Sequence, residues 1–324
     1  MYHGMMNNRI RIALLPLALG ALAAASPPKK ALTPSEIVDR APPSAWEEVP
    51  AENLLLFDLD DHRRVVIALA PGFAPVHVAN IRKLVRAGWF TGITINRVQD
   101  NYVTQWGDVT EKKPLPADIV AHPPAEYERP VGGLAFRPMG LRDAYAAQTG
   151  HAGGWPVASD GKRAWLPHCY AMVGVGRNLA PDTGTGAELY AVIGHGPRHL
   201  DRNIATVGRV LAGIEALSAL PRGTEALGFY KADAPRPAIA RARIAADMPV
   251  AERPRFEVMR SDSADFGNWL SARANRKDDF FVRPAGALDI CNALPPVRAA
   301  VSFRRPKKRP ELSPRPILSR SSSA

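Results

Sequence analysis

Between residues 54 and 244 the chain keeps returning to apolar runs of four to six residues, each too short to cover a core as a helix. Leu54-Leu55-Leu56-Phe57 and Val65-Val66-Ile67-Ala68-Leu69 flank the polar stretch Asp60-Asp61-His62-Arg63-Arg64, which is the pattern of a β-hairpin. Ile93 to Val98, Tyr102 to Gln105, Cys169 to Val175, Leu189 to Ile193 and Ala205 to Val207 read as further short strands. Ile239 to Ile244 alternates apolar with basic residues and suits a final half-buried strand. Two helices interrupt the series. One opens at Pro75, where a missing N–H is harmless, carries Val78, Ile81, Leu84 and Val85 at helical spacing, and closes at Gly88. The other is predicted over Val210 to Leu220, stopped by Pro221 and Gly223. Many short strands with two separated helices predict a mainly β fold, a barrel or sandwich with helical caps.

The net charge of +11 on 324 residues suggests a nucleic-acid partner only if it gathers on a folded surface. It does not. Residues 298–324 hold eight basic side chains against Glu311, a net +7, and the first 25 residues add Arg9 and Arg11 with no acid. The middle is close to neutral, so no nucleic-acid partner is expected. Arg9 and Arg11 precede an apolar run, Ile12 to Ala25, too short to span a bilayer and closing on Ala23-Ala24-Ala25. That is the pattern of a cleaved signal peptide, residues 1–25, and predicts export, to the periplasm in a Gram-negative cell, with no stable membrane insertion afterwards. Residues 26–50, rich in Pro, Ser and charge, read as a linker, and 298–324 as a basic disordered tail. Arg304 to Pro310 resembles a nuclear-import or nucleic-acid patch, but on an exported chain it reads as solvated tail. Export permits a disulfide between the only two cysteines, Cys169 and Cys291. Nothing in the sequence places their sulfurs within bonding distance, and the balance of the reading is against a pair.

The residues between 74 and 108 carry a more specific signal. Ala74-Pro75-Val76-His77-Val78-Ala79-Asn80-Ile81 is followed by Gly88-Trp89-Phe90-Thr91-Gly92-Ile93-Thr94-Ile95-Asn96-Arg97-Val98 and then by Asn101-Tyr102-Val103-Thr104-Gln105-Trp106-Gly107-Asp108. In order and spacing this resembles the cyclophilin family of peptidyl-prolyl isomerases, with Arg97, Tyr102, Gln105 and Gly107-Asp108 on the motif positions. A weaker second block, Ala187-Glu188-Leu189-Tyr190-Ala191-Val192, Leu200-Asp201 and Val207-Gly208-Arg209-Val210, follows the family in the same order. The resemblance implies an eight-stranded antiparallel β-barrel capped by two α-helices over residues 51–248. It further implies cis–trans isomerisation of X–Pro bonds in polypeptides, without a cofactor. Arg97 and Gln105 become the implied catalytic residues, and Tyr102, Val103, Glu188, Tyr190, His199 and Leu200 the implied substrate-binding ones. A monomer acting on proline-containing chains is expected. The alternative is a catalytically weak proline-peptide-binding module or chaperone of the same fold.

Five positions depart from the family pattern, one of them Ile204, where many members carry a histidine. Asn96 replaces a histidine, Trp106 a glycine beside the expected site, Glu188 a glutamine, and His199 a tryptophan or phenylalanine. The stretch from Asp108 to Met172 is longer than the family needs. Gly132 to Phe136 within it reads as a barrel strand, and Gly150 to Pro167 as an elaborated loop beside the groove. His151, His168, Cys169, His195 and His199 follow no metal-ligand spacing, so no metal is expected. Gly174-x-Gly176 and Gly184-x-Gly186 lack a phosphate-binding lysine and read as turns. Residues 249–297, with Phe256, Phe266 and Trp269, are too apolar for a linker and predict a C-terminal extension packed on the barrel, with a helix over Asp262 to Ala274.

Overall fold

Strands Leu54–Leu59 and Arg64–Leu69 form the expected antiparallel hairpin in the computed structural model, which describes residues 31–277 and 280–300. Leu55, Phe57, Val65 and Ile67 point into the main core, while Leu54, Leu56 and Val66 belong to a second apolar cluster on the opposite face. Both faces are covered, so the runs are continuously apolar instead of alternating. Eight strands pair in the order Ile239–Ile244, Leu54–Leu59, Arg64–Leu69, Thr206–Ala212, Met172–Val175, Leu189–Val192, Val103–Gly107 and Thr94–Val98. Every pair is antiparallel. The two ends of the series meet: Gly92 N–H donates to the Ile239 carbonyl at 2.9 Å, Ile239 N–H to that of Ile93 at 2.8 Å, and Thr94 bridges Ala238. The sheet thus becomes a nearly closed eight-stranded barrel, which removes the exposed edges of an open sheet.

The helix Pro75–Arg86 lays Val78, Ile81, Leu84 and Val85 on the barrel core. Its N-cap, Ala74, offers no side-chain acceptor. The Glu126 carboxylate, from the long 108–172 segment, takes that place by accepting from Val76 N–H at 2.9 Å and His77 N–H at 3.0 Å. Asn80 ties the same segment down, donating to the Val120 and Thr185 carbonyls at 2.8 and 3.0 Å and accepting from Val120 N–H at 2.9 Å. The second helix is shorter than the apolar spacing predicts. Thr206–Ala212 is strand, Gly213 turns the chain at φ +85°, and only Ile214–Ser218 is helical. Val210 lies in the main core and Leu211 packs in the outer cluster, so burial on both faces of the strand imitates a helical pattern.

The 108–172 segment builds a sheet of its own. Arg129–Pro130, Arg163–Trp165, Trp155–Ser159, Gln148–Ala152 and Arg137–Pro138 pair in that order. The expected loop over 150–167 is therefore mostly strand, and Gly153-Gly154 is the two-residue turn joining Ala152 to Trp155, with φ of +52° and +77°. Gly132 to Phe136 is not a barrel strand; it lies outside regular structure and contributes Leu134 and Phe136 to an apolar cluster under this sheet.

A third sheet joins Trp46–Glu48, Phe256–Met259 and Val297–Ala299. The linker reading of 26–50 therefore fails from Pro34 onward: Pro34–Arg40 is a helix with a complete Thr33–Glu36 capping box, and Ile37 and Trp46 are buried with Phe266 and Trp269 of the helix Ala264–Ala274. Phe256 and Val297 pack with Leu54, Leu56 and Val66 on the outside of the barrel. Cys169 and Cys291 are bonded, contrary to the reading against a pair, and join the barrel to this C-terminal segment across 122 residues of sequence. The signal segment and residues 301–324 of the tail lie outside the described residues; Arg298 falls within the third sheet.

Candidate active site

Four residues stand in one row across four neighbouring barrel strands. Arg97 on Thr94–Val98 is opposite Gln105 on Val103–Gly107, Gln105 is opposite Tyr190 on Leu189–Val192, and Tyr190 is opposite Gly174 on Met172–Val175. Residues directly opposite each other share a face of the sheet, so the row gathers side chains that lie far apart in sequence. A bulge at Asn96, between the pairs Ile95–Trp106 and Arg97–Gln105, sets where Arg97 faces. Asn96 itself is buried away from the cavity, its Oδ1 without a partner.

The row lines one side of a cavity of about 470 Å³. Arg97, Tyr102, Val103, Gln105, Tyr190, His199 and Leu200 all face it, so seven of the eight expected site residues come together. Glu188 lies on the same face of the sheet beside the row but outside the cavity lining, and Gln105 Nε2 donates to its carboxylate. Trp106, expected beside the site, points the other way along the alternation and packs in the barrel core, edge-on to Phe57 at 5.7 Å. Gly174 and Gly176 are not turn residues. Gly174 is in a strand, where a Cβ would overlap the Tyr190 ring, and a Cβ on Gly176 would come within 2.5 Å of Glu188 Cγ. These glycines leave room for the two side chains.

Arg97 is held from three directions. Its Nε donates to the Leu227 carbonyl at 2.7 Å, one terminal nitrogen to Gln105 Oε1 at 3.0 Å and the other to Gln99 Oε1. The rings of Tyr102 and Phe229 flank it at 5.5 and 5.4 Å. A guanidinium has five N–H donors; with three engaged, one on each terminal nitrogen remains for a bound ligand. Burial works against the charge of Arg97, and Tyr102 and Glu188 oppose that shift. Burial likewise pushes the Glu188 carboxyl above the ordinary carboxylate range, with the Gln105 hydrogen bond working against it.

Next to the row the lining is apolar. Val103, Tyr190 and Val192 form a small cluster against which Tyr102, Leu200 and Ile204 pack. His199 stacks on Tyr102, ring centroids 5.6 Å apart, with its Nε2 3.1 Å from the Tyr102 hydroxyl. Beneath the wall, Tyr190 Oη meets His168 Nε2 at 2.9 Å, and His168 Nδ1 meets Asp201 Oδ1 at 3.1 Å. The carboxylate can only accept, so in the neutral ring Nδ1 carries the proton and Nε2 accepts from Tyr190. Burial alone would raise the Asp201 carboxyl, but hydrogen bonds from His168 and the Arg198 guanidinium hold it below its usual value. Arg198 is itself paired with Asp143 at 2.8 Å. Burial and the nearby Asp201 charge push the Tyr190 phenol well above its ordinary range, so it stays a neutral, fixed ring.

Sequence reasoning missed Gln99, Arg177 and Leu227, which also line the cavity, and Phe229 beside Arg97; Ile204, noted in the sequence only as a departure from the family pattern, lines it too. Among the described residues, the lining holds no serine, cysteine or carboxylate that could act as a nucleophile. A fixed cation with free donors beside an apolar wall suits a change of charge distribution without bond cleavage. Such a site on a nearly closed barrel is chemically suited to catalysing rotation about an amide bond.

The comparisons agree. The family described as cyclophilin type peptidyl-prolyl cis-trans isomerase/CLD matches residues 54–242. A probable peptidyl-prolyl cis-trans isomerase of Brucella suis is 27% identical over 175 residues, covering 54% of this chain and 74% of its own. A relative of the same description from Brucella abortus is 26% identical over the same length. Among solved structures, the cyclophilin AquaCyp293 from Hirschia baltica superposes with a TM-score of 0.64 at 25% identity, covering 85% of this chain and 100% of its own. That coverage exceeds the 54–242 stretch, so the likeness extends beyond it. The chain belongs to the cyclophilin-type peptidyl-prolyl cis-trans isomerase family, and its activity is the cis–trans isomerisation of peptidyl-prolyl bonds.

Proposed function

We propose that this isomerase acts on X–Pro bonds of exported polypeptides, with Arg97 as the catalytic residue and the Tyr190 side of the cavity as the proline pocket. The amide barrier of ~18–20 kcal/mol comes from resonance across C–N. As that bond twists, the prolyl nitrogen becomes pyramidal and gains a lone pair that can accept a hydrogen bond. The two unengaged N–H groups of Arg97 can donate to that nitrogen and to the preceding carbonyl, and this interaction is stronger in the twisted state than in the planar one. Gln105 is a positioning residue: its Oε1 fixes one arm of the guanidinium and Glu188 fixes its Nε2. Val103, Leu200 and the Tyr190 ring would grip the proline ring and keep water from the rotating amide.

The observation that carries the assignment is the threefold anchoring of Arg97 beside the apolar cluster. A charge-assisted hydrogen bond is worth ~1.5–3 kcal/mol, or roughly 10- to 150-fold in rate. Arg97→Ala is therefore expected to lower kcat/KM on an X–Pro peptide by that factor while leaving the melting temperature nearly unchanged. Equal rates for the two proteins would remove Arg97 from the mechanism. Binding of the peptide by wild type without rate enhancement would favour a binding module instead.

Two features support an exported substrate: the signal-like N-terminal sequence, and the Cys169–Cys291 bond, a kind that persists in oxidising compartments. The mature N-terminus is expected near Ser26, in a fraction released by osmotic shock. A full-length chain retained in the cytosol would contradict export.

A further inference from the structure

Arg209 stands on the outer face of the barrel, directly opposite Ala68 in the pairing of Thr206–Ala212 with Arg64–Leu69. The added layers cover it there. A cavity of about 420 Å³ lies where the barrel, the Gly153–Trp155 turn of the second sheet and Val258 of the third sheet meet. Its walls include Phe73, Leu134, Trp155, Leu211 and Val258, and Arg209 is set among them. One terminal nitrogen of Arg209 donates to the Pro295 carbonyl at 2.9 Å, and its Nε is buried without a hydrogen-bond partner. Among the described residues no carboxylate pairs with it. The buried Arg198, by contrast, is matched by both Asp143 and Asp201. Arg209 is only partly covered as a residue, but its Nε is shielded from water, and a shielded charge is ordinarily paired because removal from water is unfavourable unless a partner compensates. Burial draws the pKa of Arg209 down to about 10, which still leaves it a cation at neutral pH.

The rim adds a second cation. Arg129 donates to the Gly72 carbonyl at 2.5 Å and lies over the Phe73 ring. Glu47 and Glu48 also border the cavity, and Glu48 is held in two hydrogen bonds by Arg255, at 2.9 and 2.5 Å. The volume falls in the range of small-molecule sites, ~300–1,000 Å³. No lining residue is shared with the Arg97 cavity.

We propose that this cavity is a second binding site, taking a small amphipathic anion: a carboxylate on Arg209 with its apolar body against Trp155, Leu211 and Val258. A fatty acid and a peptide C-terminus ending in an apolar residue share that chemistry.

Calorimetric titration of the purified full chain with octanoate, octanol, N-acetyl-leucine and N-acetyl-leucinamide tests it. At least one of the two acids should bind at least tenfold tighter than its uncharged counterpart, as a charge-assisted contact requires. Octanoate alone points to a lipid-like source, N-acetyl-leucine alone to a peptide terminus. Arg209→Met should weaken the acid at least tenfold and leave isomerase activity unchanged. If Arg209→Met does not fold, the acid-against-neutral comparison on wild type decides. Equal affinities within each pair, or no binding of either acid, would overturn the proposal.

Discussion

At the scale of single residues, the smallest member of the row limits the others. The Tyr190 ring occupies the space a Cβ on Gly174 would need. Gly174→Ala should push that ring off His168 and into the cavity, destabilising the protein by ~1–3 kcal/mol and raising KM more than it lowers kcat, because Arg97 remains anchored. Steady-state kinetics with a urea titration of the same variant check both parts. His151 makes a different test. Its Nε2 donates to the Ala293 carbonyl at 2.7 Å, and burial depresses its pKa to about 4, with Arg209 adding to the shift. Between that value and the ordinary 6.5 the unfolded chain binds a proton that the folded one does not. Stability is therefore complete above about pH 6.5 and falls as pH descends towards 4, by up to ~3 kcal/mol. His151→Gln should flatten that slope in urea midpoints measured from pH 7 to 4.5. Arg97, Tyr102 and Gln105 were legible because they share one hairpin and a fixed spacing. Leu227 was not, since it contributes a backbone carbonyl that any residue possesses.

The elements show where a one-dimensional pattern stops being informative. The hairpin at Leu54–Leu59 and the helix at Pro75–Arg86 were readable because each carries its own boundary signals. The end of Thr206–Ala212 was not, because the outer cluster buries the face that would otherwise be polar. Gly153-Gly154 did carry a readable signal, a two-residue turn between strand-forming runs, which the glycine-rich context obscured. The cap of the Pro75–Arg86 helix was out of reach, since its acceptor, Glu126, lies 50 residues from Val76. Glu126→Ala leaves those amides and His77 Nδ1, now 2.7 Å from the carboxylate, without their acceptor. It should lower stability by ~1–2 kcal/mol and speed hydrogen exchange at Val76 and His77 selectively. Uniform change across the barrel amides would mean that the carboxylate does not act as a local cap.

For the whole molecule, the decisive additions are the two sheets and the bond between Cys169 and Cys291. That bond closes a loop spanning 122 residues of sequence, for which chain entropy predicts a stabilisation of ~4–5 kcal/mol. The Cys169→Ser, Cys291→Ser double variant should lose about that much in urea unfolding, and reducing agent should lower the wild-type midpoint while leaving that of the variant unmoved. A reducing-agent effect of equal size on both proteins would show that the bond is not its source.

The anchoring of Arg97 also sets an order of events during synthesis. Arg97 lies in the third barrel strand in chain order, but the carbonyl that holds its Nε is 130 residues further on, and the barrel closes only when Ile239–Ile244 pairs. A nascent chain therefore displays the whole recognition motif long before it has a working centre. A fragment ending ahead of Leu227 lacks that anchor and the closing strand, and on the proposed role of Arg97 it is expected to show little isomerase activity.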